Sequence, residues 1–169
     1  MTDITLPTLT QWAEQHITAL LKASDKNVDS VYDMTFARDC KITVNGQAMT
    51  GAQFKDRIRR EKGAETGAQV AFMGAVEVPD GRNDPYGAGN VGLFMHATID
   101  QPFMTLGEPD FNTIRASYNM RIVEDPTLPQ PEGRSRNIDW DPRRIVAITD
   151  VSMERSSLTL QRGYHRSEL

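Results

Sequence analysis

The stretch Phe36-Ala37-Arg38-Asp39-Cys40-Lys41-Ile42-Thr43-Val44-Asn45-Gly46-Gln47-Ala48-Met49-Thr50-Gly51-Ala52-Gln53-Phe54, continuing through Arg60 to Gly63, decides how the rest of the chain is read. Its β-branched run Ile42-Thr43-Val44 meets Asn45-Gly46, a pair tolerant of positive φ, so a strand is expected to enter a hairpin turn. Thr50 and Gln53 then form a capping box, in which hydroxyl and amide satisfy two free N–H groups reciprocally, and Gly63 stops the helix that follows. Phe54 and Ile58 give that helix one narrow apolar stripe. Lys55, Arg57, Arg59, Arg60 and Lys62 cover the remainder and read as a solvated face.

Upstream, Thr8 with Gln11 is a second capping box, and Leu9, Trp12, Ala13, His16, Ile17, Leu20 and Leu21 share one helical face. A short helix carrying Val28, Val31 and Tyr32 leads into the central stretch. Downstream the period changes to two. Gln69 to Val78 alternates around Val70, Phe72, Val76 and Val78, and Val91 to Ile99 is its expected hairpin partner across a loop from Pro79 to Asn90. Gln101 to Asn112, with Pro102, Gly107 and Pro109, is read as a second connection. From Thr113 to Val123 the residues Ile114, Ala116, Tyr118, Met120 and Ile122 are expected to face inward. Glu124 to Pro142 is rich in proline, long enough for a lid, and otherwise a plain linker. Arg144 to Glu154 is the last strand, with a loose tail at 162–169.

The totals narrow the function. One domain, 1–169 with a core from about 9 to 155, suits 169 residues. A formal net charge of -4 offers no field for a polyanion, which argues against nucleic acid. Cys40 is the single cysteine, so no intramolecular disulfide or cysteine-based metal cluster exists, and no membrane-length apolar run or leader-like N-terminus is present. A cytoplasmic protein with a small apolar partner is the expectation. No Gly-rich phosphate loop, Gly-x-Ser-x-Gly elbow or His-Glu-x-x-His helix occurs, and no metal or cofactor is expected.

Helices first, then a strand and capped helix, then antiparallel strands predict an α+β domain: a cone-shaped, curved, mostly antiparallel (mixed) sheet with helices packed on its concave face. This order, with the Phe36 to Gly51 stretch, resembles the nuclear transport factor 2-like superfamily (cystatin-like fold), which includes scytalone dehydratase, ketosteroid isomerase and SnoaL-type polyketide cyclases. Laid on the chain, the dehydratase pattern puts its catalytic aspartate at Asp25 and its Phe-Ile-Gly at Phe72-Met73-Gly74. Ser24 and Val44 stand where that family has tyrosines, and Ala71 where it has a histidine. Lys41 and Thr43 replace the isomerase aspartate. These departures argue against the dehydratase's own substrate. The resemblance implies a small-molecule-binding domain, a homodimer, and, if catalytic, a cofactor-independent lyase or isomerase (dehydratase or cyclase) that moves a proton on an apolar, polyketide- or terpenoid-like substrate. The alternative is a non-catalytic ligand-binding or dimerisation module.

The candidate catalytic set is Asp25, His96, Tyr32 and Tyr118: a carboxylate that orients or relieves a histidine, and tyrosines that polarise a carbonyl. Each has a plainer reading. Asp25 can cap the second helix, the tyrosines can be core, and His96 shares strand parity with Phe94 and Thr98 rather than with the more apolar Val91, Leu93, Met95, Ala97 and Ile99. Trp12, His16, Phe36, Ile58, Phe72, Met95 and Met120 are the candidate ligand-lining residues. Dimerisation is expected across an outer sheet face bearing Phe94, Val146 and Ile148.

Overall fold

A computed structural model describes residues 6–62, 67–81, 84–105, 107–129 and 140–157. Among them, helices α1 (Leu9–Lys22) and α2 (Val28–Thr35) precede strand β1 (Phe36–Val44), short β2 (Gln47–Met49), helix α3 (Gly51–Lys62) and four long strands. These are β3 (Gly67–Pro79), β4 (Gly89–Thr105), β5 (Glu108–Glu124) and β6 (Arg143–Ser156). The tail at 162–169, the helix stop at Gly63 and most of the proline-rich insertion lie outside the described residues.

Local chemistry sets the elements as the sequence indicates. Asn45 (φ 49°) and Gly46 (φ 81°) form the two-residue turn that pairs Val44 with Gln47. Both capping boxes close: the Gln53 N–H donates to Thr50 Oγ1 at 3.2 Å and the Thr50 N–H to Gln53 Oε1 at 2.8 Å, with the same reciprocity between Thr8 and Gln11. The six strands form one open sheet in the order β2-β1-β6-β5-β4-β3, antiparallel except for the parallel pair β1 and β6. The helices lie on one face. The core between them holds Leu9, Trp12, Ile17, Phe36, Phe54 and Ile58 against the inward residues of β4, β5 and β6.

Four expectations change. Gln101 to Asn112 is not a loop: β4 and β5 continue as a projecting hairpin, with Thr105 opposite Glu108 and Gly107 (φ 86°) in its turn. Pro102 falls where pairing skips from Asp100 to Met104, so the irregularity absorbs the missing donor and the ladder resumes beyond it. In β3 a bulge between Phe72 and Gly74 reverses the parity, which turns Val76 and Val78 outward, 64% and 59% exposed, and brings Ala75 and Glu77 to the inner register. A similar shift between Arg121 and Ile122 leaves Ile148 inward and buried, so it is no part of the outer face. Finally, the basic face of α3 is not uniformly solvated, since Lys62 is buried and Arg57 points into the fold.

Candidate functional site

Under α3, on the inner face of the sheet, five polar side chains converge. Arg57 and Glu61 are one helical turn apart on α3, and the Arg57 Nε–H donates to Glu61 Oε1 at 2.5 Å. The same guanidinium donates through Nη2 to Ser152 Oγ on β6 at 2.7 Å. Two residues before Ser152, on the same face, lies Asp150, and the register sets Asp150 directly opposite Tyr118 of β5. Asp150 is 2% exposed and its Oδ1 has no hydrogen-bond partner. Asn45 fixes this part of β6: its side-chain amide donates to the Ser152 carbonyl at 3.0 Å and its Oδ1 accepts from the Ser152 N–H at 2.9 Å.

Burial dominates the electrostatics here. It raises the pKa of the Asp150 carboxyl, against a hydrogen bond with Ser152 and the charge of Arg57. Burial likewise raises Glu61 despite its pairing with Arg57, with the nearby Glu154 and Asp150 charges adding to the rise. Tyr118 is pushed well above a free phenol by burial and then by the Asp150 and Glu61 charges. The cluster thus holds two carboxyls that favour protons more than usual, a phenol that keeps its proton, and one cation. Such opposed environments suit acid–base work. Among the described residues, no group of three or more His, Cys, Asp or Glu side chains is arranged to hold a metal ion.

A second feature is a cleft of about 1020 Å³ between the end of α2, the start of β1, the first turn of α3 and the segment after β5. Tyr32, Phe36, Cys40, Lys55, Arg144 and Leu128 line it, with Asp125 and Thr127 from the proline-rich insertion on its border. Lys55 sits 4.6 Å over the Tyr32 ring and pairs with Asp33 at 3.1 Å. Burial raises the Tyr32 phenol and pushes the Cys40 thiol up to about 12, so neither is an activated nucleophile.

The candidates from the sequence separate accordingly. Tyr118 joins the inner cluster, whereas Tyr32 and Phe36 border the cleft. Asp25 lies in the exposed turn after α1, and the N-cap of α2 is Asn27 without a side-chain bond, so Asp25 caps nothing. His96 is on the outer sheet face beside Arg115 and Met153, across the sheet from the helices. The structure does not bring Asp25 and His96 together. Ile58, Met95 and Met120 are packed core, and Phe72 packs against it from β3. Trp12 and His16 stack at 4.0 Å, and His16 Nδ1 is 3.1 Å from Thr35 Oγ1. Because that hydroxyl donates to the Val31 carbonyl, it accepts from a protonated Nδ1. Burial lowers the His16 pKa to about 4, which keeps the ring neutral near pH 7. Beside it, Arg143 is fully buried and ion-paired to Asp141 at 2.6 Å, and it donates to the Pro7 and Tyr86 carbonyls.

Asp150, Glu61 and Arg57 were missed as a group by sequence reasoning. The strand pattern gave no signal for them: Asp150 has the parity of Ile148, which reads as outward until the register shift between Arg121 and Ile122 turns both inward.

No family model matches the chain, and no curated protein matches it. Solved structures do. Kfla4162 from Kribbella flavida aligns at 12% identity over 89% of this chain and 93% of its own, with a TM-score of 0.60. AclR from Streptomyces galilaeus aligns at 13% identity over 90% and 85%, with a TM-score of 0.54. An NTF2-like protein of unknown function from Rhodospirillum rubrum aligns at 14% identity over 84% and 96%, with a TM-score of 0.46. The fold is α+β, three helices against a six-stranded mixed sheet that is not closed, and at these identities the likeness to Kfla4162 and AclR is one of fold alone.

Proposed function

We propose that this chain binds a small apolar molecule at the inner face of its sheet and moves a proton on it without a cofactor, as a lyase or isomerase would. The observation that carries this is the Asp150 carboxylate, buried with Oδ1 unpartnered, opposite Tyr118. Leaving a charge in that position costs stability, and such groups are retained where they act. Asp150 takes a proton from a carbon next to a carbonyl. Tyr118, still protonated, donates a hydrogen bond to the carbonyl oxygen as charge develops there. Arg57 orients Asp150 through Ser152 and balances its charge. Glu61, with a raised pKa, returns a proton at a second atom, which completes an isomerisation or assists loss of water.

A non-catalytic reading is favoured by a different observation, the 1020 Å³ cleft, whose volume alone suits a ligand site. In either case we take the chain to pair as a homodimer across its outer sheet face and to work in the cytoplasm, where the free Cys40 thiol stays reduced. Among the described residues no helix is long and apolar enough to cross a membrane.

The test is a thermal-shift screen of enolisable apolar ketones and hydroxyketones, followed by solvent-deuterium exchange on the hits. A ligand at a hundred times its dissociation constant should add about 2.7 kcal/mol. Exchange should fall by about a hundredfold to ten-thousandfold in Asp150→Asn and in Tyr118→Phe. Hits that bind equally to those variants, lose affinity in Arg144→Gln and never exchange would favour the cleft and the binding-module reading.

A further inference from the structure

We propose that the outer sheet face carries a separate anion-binding pocket, in which His96, Arg115 and Arg155 take a carboxylate or phosphate group. Three adjacent strands build it. The register aligns His96 of β4 with Arg115 of β5 and Met153 of β6, and the next outward row aligns Thr113 with Arg155. These five side chains line a pocket of about 220 Å³. That is smaller than the ~300 Å³ at which sites for whole drug-sized ligands begin, so it suits a head group.

The charge pattern is one-sided. Arg57, Arg59, Arg121 and Arg143 each have a carboxylate partner, whereas among the described residues neither Arg115 nor Arg155 has a hydrogen-bond or ion-pair partner. The outward neighbours Phe94, Thr98, Ser117 and Val151 include no acid, and the nearest one along β4, Asp100, lies a row beyond Thr98 opposite Phe111. His96 supplies a further observation: its Nε2 is buried and has no hydrogen-bond partner. The His96 ring borders a pocket with two guanidinium forks that have no partner among the described residues, and in the tautomer that carries its proton on Nε2 a small turn of the ring would let it donate to an oxyanion held there. The guanidiniums offer bidentate donor pairs, the imidazole a third direction and Thr113 a hydroxyl.

The test follows the His96 ring by NMR while the full chain is titrated with inorganic phosphate, and separately with acetate, against sodium chloride at matched ionic strength. A saturable shift with phosphate or acetate and none with chloride is expected, and whichever saturates lower identifies the preferred group. Arg115→Gln and Arg155→Gln should each weaken binding about tenfold or more, the loss of one charge-assisted bond. Both residues are exposed, so the fold should survive, and an unchanged melting temperature in chloride checks this. Phosphate and acetate shifts no larger than those of chloride would overturn the proposal. So would equal affinity in the double variant.

Discussion

At the scale of single residues, the buried histidine and the buried carboxyls pull the pH dependence in opposite directions. His16 has a folded pKa near 4 against 6.5 when free, so the unfolded chain takes up the proton first as pH falls. Its contribution to stability is complete above pH 6.5 and is lost as pH falls towards 4, on the order of 3 kcal/mol at full protonation. Asp150 and Glu61 have raised pKa values and gain stability over part of the same descent, so the wild-type curve is a sum. The difference between wild type and His16→Gln, by urea denaturation at pH 7, 5.5 and 4, isolates the histidine: the variant should be relatively favoured at pH 4, and parallel curves would refute the assignment. Asp150→Asn at pH 7 should stabilise the fold by about 0.5–2 kcal/mol, the usual gain when a costly functional group is removed. A destabilised Asp150→Asn would instead mark the carboxylate as a structural partner of Arg57. Asp150 could not have been found from its parity, because it shares that of Ile148, which reads as outward until the shift at Arg121 is known, and Arg57 and Glu61 could not be found either. On α3 they look like part of a charged surface run, and only the sheet folding back some ninety residues later, as the separation of Arg57 and Ser152 shows, brings β6 beneath them.

At the scale of elements, the helices were legible because their signals are local: a capping box closes within four residues, and the apolar face of α1 needs only the 3.6-residue period. Strand faces were less legible, since one extra residue reverses a period of two. The bulge after Phe72 exchanged Val76 for Ala75, and the shift at Arg121 exchanged the outer face for the inner at Ile148. The prolines of 101–112 misled for a related reason, because an irregular ladder tolerates what a regular one does not. Tight packing at the start of β4 gives a direct check on this arrangement. A Cβ on Gly89 would lie 2.5 Å from Leu9 Cδ1, 2.6 Å from the Val78 carbonyl and 2.9 Å from Pro79 Cα. The leucine tip can turn away, but the β3 backbone cannot without disturbing the pairing of Pro79 with Gly89. Gly89→Ala should therefore cost about 1–3 kcal/mol in chemical denaturation, as overpacking does. Gly74→Ala, with nothing within 4 Å of its added Cβ, serves as the control and should be near neutral.

At the scale of the whole molecule, one sheet face is covered by helices and the other leaves apolar side chains in water. Val76, Val78, Phe94 and Val151 are between 48% and 64% exposed, and the bulge in β3 is what turns the first two outward. Val76 and Val78 border a shallow groove of about 390 Å³ with Asn119, Ala147 and Thr149. An apolar patch that crosses several strands is what an interaction surface requires, and under the proposed pairing a second copy related by a two-fold axis would cover it with the same residues. Such pairing would leave the inner cluster untouched, because Asp150 and Tyr118 are on the opposite face of the same strands. Dimerisation and ligand binding should therefore separate. Sedimentation equilibrium at micromolar concentration should give a dimer for the wild type and a monomer for the double variant Val76→Lys, Val151→Lys, whose four like charges would face one another across the axis. The monomeric variant should keep the wild-type thermal shift with any ligand of the inner site. A wild-type monomer at that concentration would refute the pairing, and a monomeric variant that lost ligand binding would show that the two faces are coupled through β5 and β6.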